Sequence, residues 1–105
     1  MTMFDDRQNA FEAKYAHDAD LQFKVAARRD KLTGLWAAAR LGYAGDVAET
    51  YAKSVVIADL AEAGDEDVVR KLAADLSAVG IGEAEIRSQL ALSDTEARRQ
   101  LSEAM

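Results

Sequence analysis

The chain has 105 residues, with 13 lysines and arginines against 19 aspartates and glutamates, and it contains neither cysteine nor proline. This length suits a single domain with a modest core, and the lack of cysteine excludes disulfides and thiolate metal or redox sites. The net charge of −6 argues against a general nucleic-acid binder. We also expect no secretory signal and no membrane-spanning segment, which would need roughly 20 apolar residues.

Residues 21–42 are predicted to form a long first helix, because large apolar residues recur there at three- and four-residue spacings. Gly42 is placed just past the end of this helix. Gly34 lies inside it and suggests a close contact with another helix. The predicted buried stripe comprises Leu21, Val25, Leu32, Leu35, Trp36 and Ala39.

A second helix is predicted to open at Asp46, which forms a capping box with Glu49, and to end near Gly64. The run from Val55 to Ile57 is wider than one stripe, so we expect this helix to be the most buried. Its apolar residues are Val47, Tyr51, Val55, Val56 and Leu60.

Two further helices follow. Asp65 is predicted to cap the third, with Glu66 and Asp67 in its first turn and Gly80 at its end. Its stripe is Val69, Leu72, Leu76 and Val79.

The fourth helix begins near Glu83, and its apolar face is Ile86, Leu90, Ala97 and Leu101. Ser93 and Glu96 could form a capping box and break this helix. The continuity of the apolar face favours one helix.

Short connections between these segments predict an all-α protein, a small four-helix bundle. Residues 21–43 carry five bases and one acid, whereas residues 44–67 carry seven acids and one base. The first two helices are therefore electrostatically compatible neighbours. On this view Arg28, Arg29, Lys31 and Arg40 form a solvated, partly paired flank.

Residues 1–20 fit poorly into the bundle. A helix would place Phe4, Phe11 and Tyr15 on one face, roughly 80° from the predicted stripe. One interpretation is a segment that is disordered alone and becomes helical in a partner's cleft. The other is a kinked first helix that folds back over the bundle.

Motifs for chemistry are mostly absent. His17, the single histidine, shares a helix face with Asp20, but two ligands do not make a metal site. No serine or threonine has an evident His/Asp set of partners, and no phosphate-binding glycine motif occurs. We therefore predict no catalytic residue, no metal site and no enzyme.

Ordered aromatic and charged residues in the first third of the chain resemble the zeta inhibitor subunit of bacterial F-type ATP synthases. The likeness covers about residues 3–76 well and is looser beyond. Either Glu85-Ile86-Arg87 or Glu96-Ala97-Arg98-Arg99 could match the start of the family's last helix. The resemblance rests on Phe4-Asp5-Asp6-Arg7, Phe11-Glu12-Ala13-Lys14-Tyr15-Ala16-His17-Asp18, Ala27-Arg28-Arg29-Asp30-Lys31-Leu32, Gly34-Leu35-Trp36-Ala37-Ala38, Tyr51-Ala52-Lys53 and Gly64-Asp65-Glu66-Asp67-Val68.

The resemblance implies an inhibitor that blocks ATP hydrolysis, a small four-helix bundle with a mobile N-terminal segment. Residues 1–20 would insert as a helix at a catalytic interface of the alpha and beta subunits, near the central-stalk gamma subunit, while residues 21–105 anchor outside. Carried over by position, the inhibitory residues are Phe4, Asp5, Asp6, Arg7, Phe11, Glu12, Lys14, Tyr15 and His17.

The resemblance also implies a cytoplasmic protein, peripheral to the inner membrane through the synthase, monomeric when free, and without nucleic-acid partners, membrane insertion or a required cofactor. Weak adenine nucleotide binding is an expectation, with the bases near Arg28 and Lys31 as a guess for its site. The alternative function is a nucleotide-sensing regulatory domain whose site lies in the helical bundle.

Overall fold

The protein is described by a computed structural model, which gives the backbone of residues 3–61 and 65–104 and the side chains of residues 20–60 and 65–103. Within these residues the chain forms four α-helices and a single 3₁₀ turn, Ser77–Val79. The predicted all-α four-helix architecture is confirmed. The helices are α1 Met3–Arg40, α2 Gly45–Ala61, α3 Glu66–Leu76 and α4 Glu83–Ala104.

Glycine ends two of the helical segments in the manner expected from the sequence. Gly42 has a φ of +84°. The Tyr43 N–H donates to the Ala38 carbonyl at 2.8 Å, and the Gly42 N–H donates to Ala39 at 3.1 Å. This is the Schellman pattern, in which a left-handed residue satisfies the last carbonyls of a helix. Gly80, with a φ of +77°, closes the 3₁₀ turn after α3 in the same way.

The first two helices pack closely at Gly34, as the sequence suggested. A Cβ atom at Gly34 would lie 2.7 Å from the Cα of Ala52, so no side chain fits between the two backbones. Arg29, five residues before Gly34, meets Asp59, seven residues after Ala52. The two helices are therefore antiparallel.

The buried face of α1 differs from the predicted stripe. Of the predicted residues only Val25 is buried, Ala39 is exposed, and the others are half-buried. α1 packs against α2, α3 and α4, and its closest contacts use small side chains that let the backbones approach. The fully buried positions of α1 are instead Asp30, Thr33, Ala37 and Ala38, beside Gly34.

The prediction that α2 is the most buried helix is wrong. Ala52 and Val55 are buried, but Val47, Ile57 and Leu60 are 58%, 65% and 59% exposed. α2 packs against α1 and α3 and leaves these three side chains exposed. Asp46 lies inside the first turn, because the helix already begins at Gly45. The predicted end at Gly64 falls outside the described residues.

α3 contributes more to the core. Leu72 and Leu76 are fully buried, as predicted, and so is Val68. Val79 is 45% exposed, because α3 tightens into the 3₁₀ turn after Leu76 and rotates that residue outward. Asp65 occupies the N-cap position, but its side chain makes no capping hydrogen bond.

α4 is one continuous helix from Glu83 to Ala104, which confirms the favoured interpretation. Ser93 is buried inside it and accepts a hydrogen bond from Gln89 at 3.5 Å, so it does not cap a new helix. α4 starts at Glu83, close to Glu85. This start favours Glu85-Ile86-Arg87, and not Glu96-Ala97-Arg98-Arg99, as the match to the start of the family's last helix. None of the helices in the described ranges combines the length and the apolar character that crossing a bilayer requires.

Candidate partner-binding surface

The backbone of residues 3–20 continues α1 without a break. The side chains of residues 1–19 lie outside the described part of the chain, so the roles assigned to them stay predictions, as does the expected disorder of residues 1–20 in the free protein. These residues are Phe4, Asp5, Asp6, Arg7, Phe11, Glu12, Lys14, Tyr15 and His17.

The length of α1 exceeds what the other helices can cover. Arg28 donates to Gln100 at 3.3 Å, and α4 ends four residues later at Ala104. α4 therefore accompanies α1 for only about 6 Å beyond Arg28. α1 continues back to Met3, about 38 Å from Arg28 along a straight helix. Most of this length has no described helix beside it.

A charge cluster, largely buried except for Asp65, fixes α1 near the end of the bundle from which residues 3–20 extend. The guanidinium of Arg29 lies 2.9 Å from the carboxylate of Asp30, 3.4 Å from Asp59 and 3.0 Å from Asp65. The side chain of Arg29 is only 11% exposed. We call Arg29, Asp30, Asp59 and Asp65 the arginine cluster. It joins α1, α2 and the residue before α3. The Asp65 carboxylate, which was predicted to cap α3, pairs with Arg29 instead.

Asp30 is the unusual member of this cluster. Its side chain is 1% exposed, and its Oδ2 atom has no partner among the described atoms. Burial raises the pKa of Asp30 to about 8, the nearby carboxylate of Asp59 adds to the rise, and Arg29 opposes it. The protonated form of Asp30 is therefore favoured near neutral pH in the folded protein. No group of three histidine, cysteine or carboxylate side chains in the described residues is arranged to hold a metal.

Helical periodicity alone did not reveal this cluster, and Arg29, which was predicted to lie on a solvated flank, is instead largely buried. Arg28, Lys31 and Arg40 are exposed, as expected there. The available signal was Gly34, because Asp30 precedes it by four residues and so shares its contact face.

Arg28 and Lys31 line a groove at the end of the bundle from which the first part of α1 extends. Its volume is about 420 Å³, and it combines three bases from α1 with apolar residues from α1, α2 and α4. We call it the basic groove. It is lined by Phe23, Lys24, Ala27, Arg28, Lys31, Val56 and Leu101. Adenine nucleotide binding by these bases stays a prediction.

Comparison with known protein families identifies the family to which this chain belongs. A family model described as ATPase inhibitor subunit zeta matches residues 1–100. The chain belongs to the zeta family. The resemblance seen in the sequence is thereby confirmed, and it extends over nearly the whole chain.

A solved relative agrees with this assignment. The chain is similar to a protein described by a solution NMR structure, with 47% sequence identity and a TM-score of 0.74. The match covers 81% of this chain and 99% of that one. No curated protein sequence matches the chain. As a member of the zeta family, the chain is an ATPase inhibitor subunit, and the family implies association with the F-type ATP synthase.

Proposed function

We propose that the chain blocks ATP hydrolysis by inserting residues 1–20 as a helix at a catalytic interface between alpha and beta subunits, near the gamma subunit. The observation that carries this proposal is the length of α1. Its first part extends far beyond the last residues of α2 and α4 that can flank it, while its later part is held in the bundle.

The bundle supports this function by fixing the direction of the helix. Gly34 packs on Ala52 without an intervening side chain, and Arg29 ties α1 to Asp59 and Asp65. Two such contacts along one helix restrain both its position and its rotation. In this proposal Phe4, Phe11 and Tyr15 supply buried apolar area. The polar side chains match the charges that line the alpha/beta interface. They are Asp5, Asp6, Arg7, Glu12, Lys14 and His17.

The first test compares two full-length variants. Phe11→Ala should weaken inhibition of the purified catalytic sector by about 10- to 100-fold, because burying a phenylalanine contributes about 1.5–3 kcal/mol. Its melting temperature should match that of the parent protein. The control is Leu92→Ala, whose side chain is 65% exposed on α4 and which should inhibit normally. Equal inhibition by both variants would contradict the proposed insertion.

The second test removes the segment. A chain that begins at Asp20 should keep its helical circular dichroism and lose inhibition of ATP hydrolysis. Full inhibition by this shortened chain would contradict the role given to residues 1–20. A saturable ATP titration that shifts only resonances of the bundle, with no inhibition of the synthase, would favour the nucleotide-sensing alternative.

A further inference from the structure

The basic groove has the composition of a site for a protein partner. Phe23 is 57% exposed, and it lies beside Ala27 of α1, Val56 of α2 and Leu101 of α4. Three elements therefore contribute to one apolar floor. Exposed apolar residues that cluster in this way, with polar residues around them, are typical of interaction sites.

The three bases of the groove remain available to a partner. Lys24 lies 3.0 Å from Asp20, but both side chains are about 60% exposed. Lys31 lies 3.6 Å from Glu49, with both about half exposed. Arg28 donates to the uncharged amide of Gln100. Exposed pairs of this kind contribute little and exchange readily, in contrast to the buried arginine cluster.

The spacing of the groove residues indicates the shape of the partner. Lys24, Arg28 and Lys31 follow one another at intervals of four and three residues, so they form a row along α1. The groove extends from Phe23 to Lys31, about 12 Å or two helical turns. An amphipathic helix with a row of acidic side chains beside an apolar face would match both the row of bases and the apolar floor.

The acidic N-terminal segment of this chain cannot be that partner here. Residues 3–40 form one continuous helix, so the segment leads away along the same axis and does not return to the groove. We propose that the basic groove docks a short acidic amphipathic helix of the synthase catalytic sector. This proposal rests on the proposed function. Docking at this point would hold the bundle beside the alpha/beta interface into which residues 1–20 insert.

The test uses two full-length variants of equal net charge. The groove variant carries Lys24→Glu, Arg28→Glu and Lys31→Glu. The control variant carries Lys53→Glu, Arg70→Glu and Arg98→Glu, at exposed positions that do not line the groove. Circular dichroism establishes folding of each. If the reversed charges unfold the groove variant, glutamine replaces glutamate at all three positions in both variants, so their net charges stay equal.

Binding to the purified catalytic sector is then measured at two salt concentrations. The groove variant should bind at least about ten-fold more weakly and lose most of the salt dependence, while the control stays within about two-fold of the parent. Phe23→Ala should weaken binding without changing the salt dependence. At saturating concentration the groove variant should still inhibit fully, because residues 1–20 are intact.

The outcomes separate the two proposals. If the parent protein neither binds nor inhibits the catalytic sector, the proposed function fails. If it does both and the groove variant binds equally well, or the control variant is weakened to the same extent, the docking proposal alone is overturned. Groove-dependent binding to anionic phosphatidylglycerol vesicles or duplex DNA, with unchanged binding to the sector, would also overturn it.

Discussion

Replacing Asp30 by asparagine should change how the stability of this protein depends on pH. The carboxyl is buried beside Arg29 and has one oxygen without a described partner. Its pKa of about 8 in the folded protein lies well above the ordinary aspartate value of about 4. The folded state therefore holds this proton more tightly than the unfolded state does.

The sign of the effect follows from this difference. Asp30 favours folding most at pH below about 4, and that stability is lost as the pH rises towards the folded pKa of about 8. Between pH 6 and pH 9 the linkage lowers the free energy of unfolding by about 1–3 kcal/mol. For a domain of this size, such a loss lowers the melting temperature by roughly 4–20 °C.

The charged groups around Asp30 come from every neighbouring element. Arg29 belongs to α1, Asp59 to α2, and Asp65 precedes α3. On the α4 side, Arg87 and Asp94 line a depression together with Arg29 and Asp65. Arg87 pairs with Glu83, and Asp94 pairs with Arg98. One guanidinium thus faces three carboxylates at the cluster, which is why retaining a proton there stabilises the fold.

The assay is chemical denaturation of the parent protein and Asp30→Asn at pH 5 to 9. Asparagine has the same shape and can donate to Asp59 while it accepts from Arg29, so the variant should lose the decline in stability between pH 6 and 9. Asp46→Asn makes the same carboxyl-to-amide change at an exposed position and should leave the slope unchanged. A parent protein whose stability rises over this range, or an Asp30→Asn slope equal to that of the parent, would refute the raised pKa of Asp30.

Four further substitutions test the packing. Gly34→Ala should destabilise the protein by about 1–3 kcal/mol in urea, although alanine favours helix by about 1 kcal/mol, because its Cβ would meet the backbone of Ala52; a stabilised variant would contradict that close approach. Leu72→Ala, at a fully buried site, should cost about 2–5 kcal/mol, whereas Leu60→Ala, at a site 59% exposed, should cost below 1 kcal/mol. Comparable losses would refute the assigned burial of α2 and α3. Tyr51→Phe should cost about 1 kcal/mol in the same assay, because its hydroxyl donates to a carboxylate of α3 at 2.8 Å; unchanged stability would show that this hydrogen bond contributes nothing net.

Local sequence signals determined the helices themselves. Gly42 and Gly80 adopt left-handed backbone conformations at the ends of helical segments, because a residue without a Cβ does so at little cost. The uninterrupted apolar face from Ile86 to Leu101 was enough to predict a continuous α4. The order of aromatic and charged residues between Phe4 and Trp36 was specific enough to indicate the zeta family.

Only the tertiary structure decided which faces of these helices meet. α1 is packed by three other helices, and close approach selects small residues, so Ala37 and Ala38 are buried where larger leucines were expected. The arginine cluster depends on the same geometry. Asp30 and Asp59 are separated by 29 positions in sequence, and the pairing of α1 with α2 brings them together beside Arg29. A burial pattern set by contact between helices cannot be obtained from the periodicity of one helix alone.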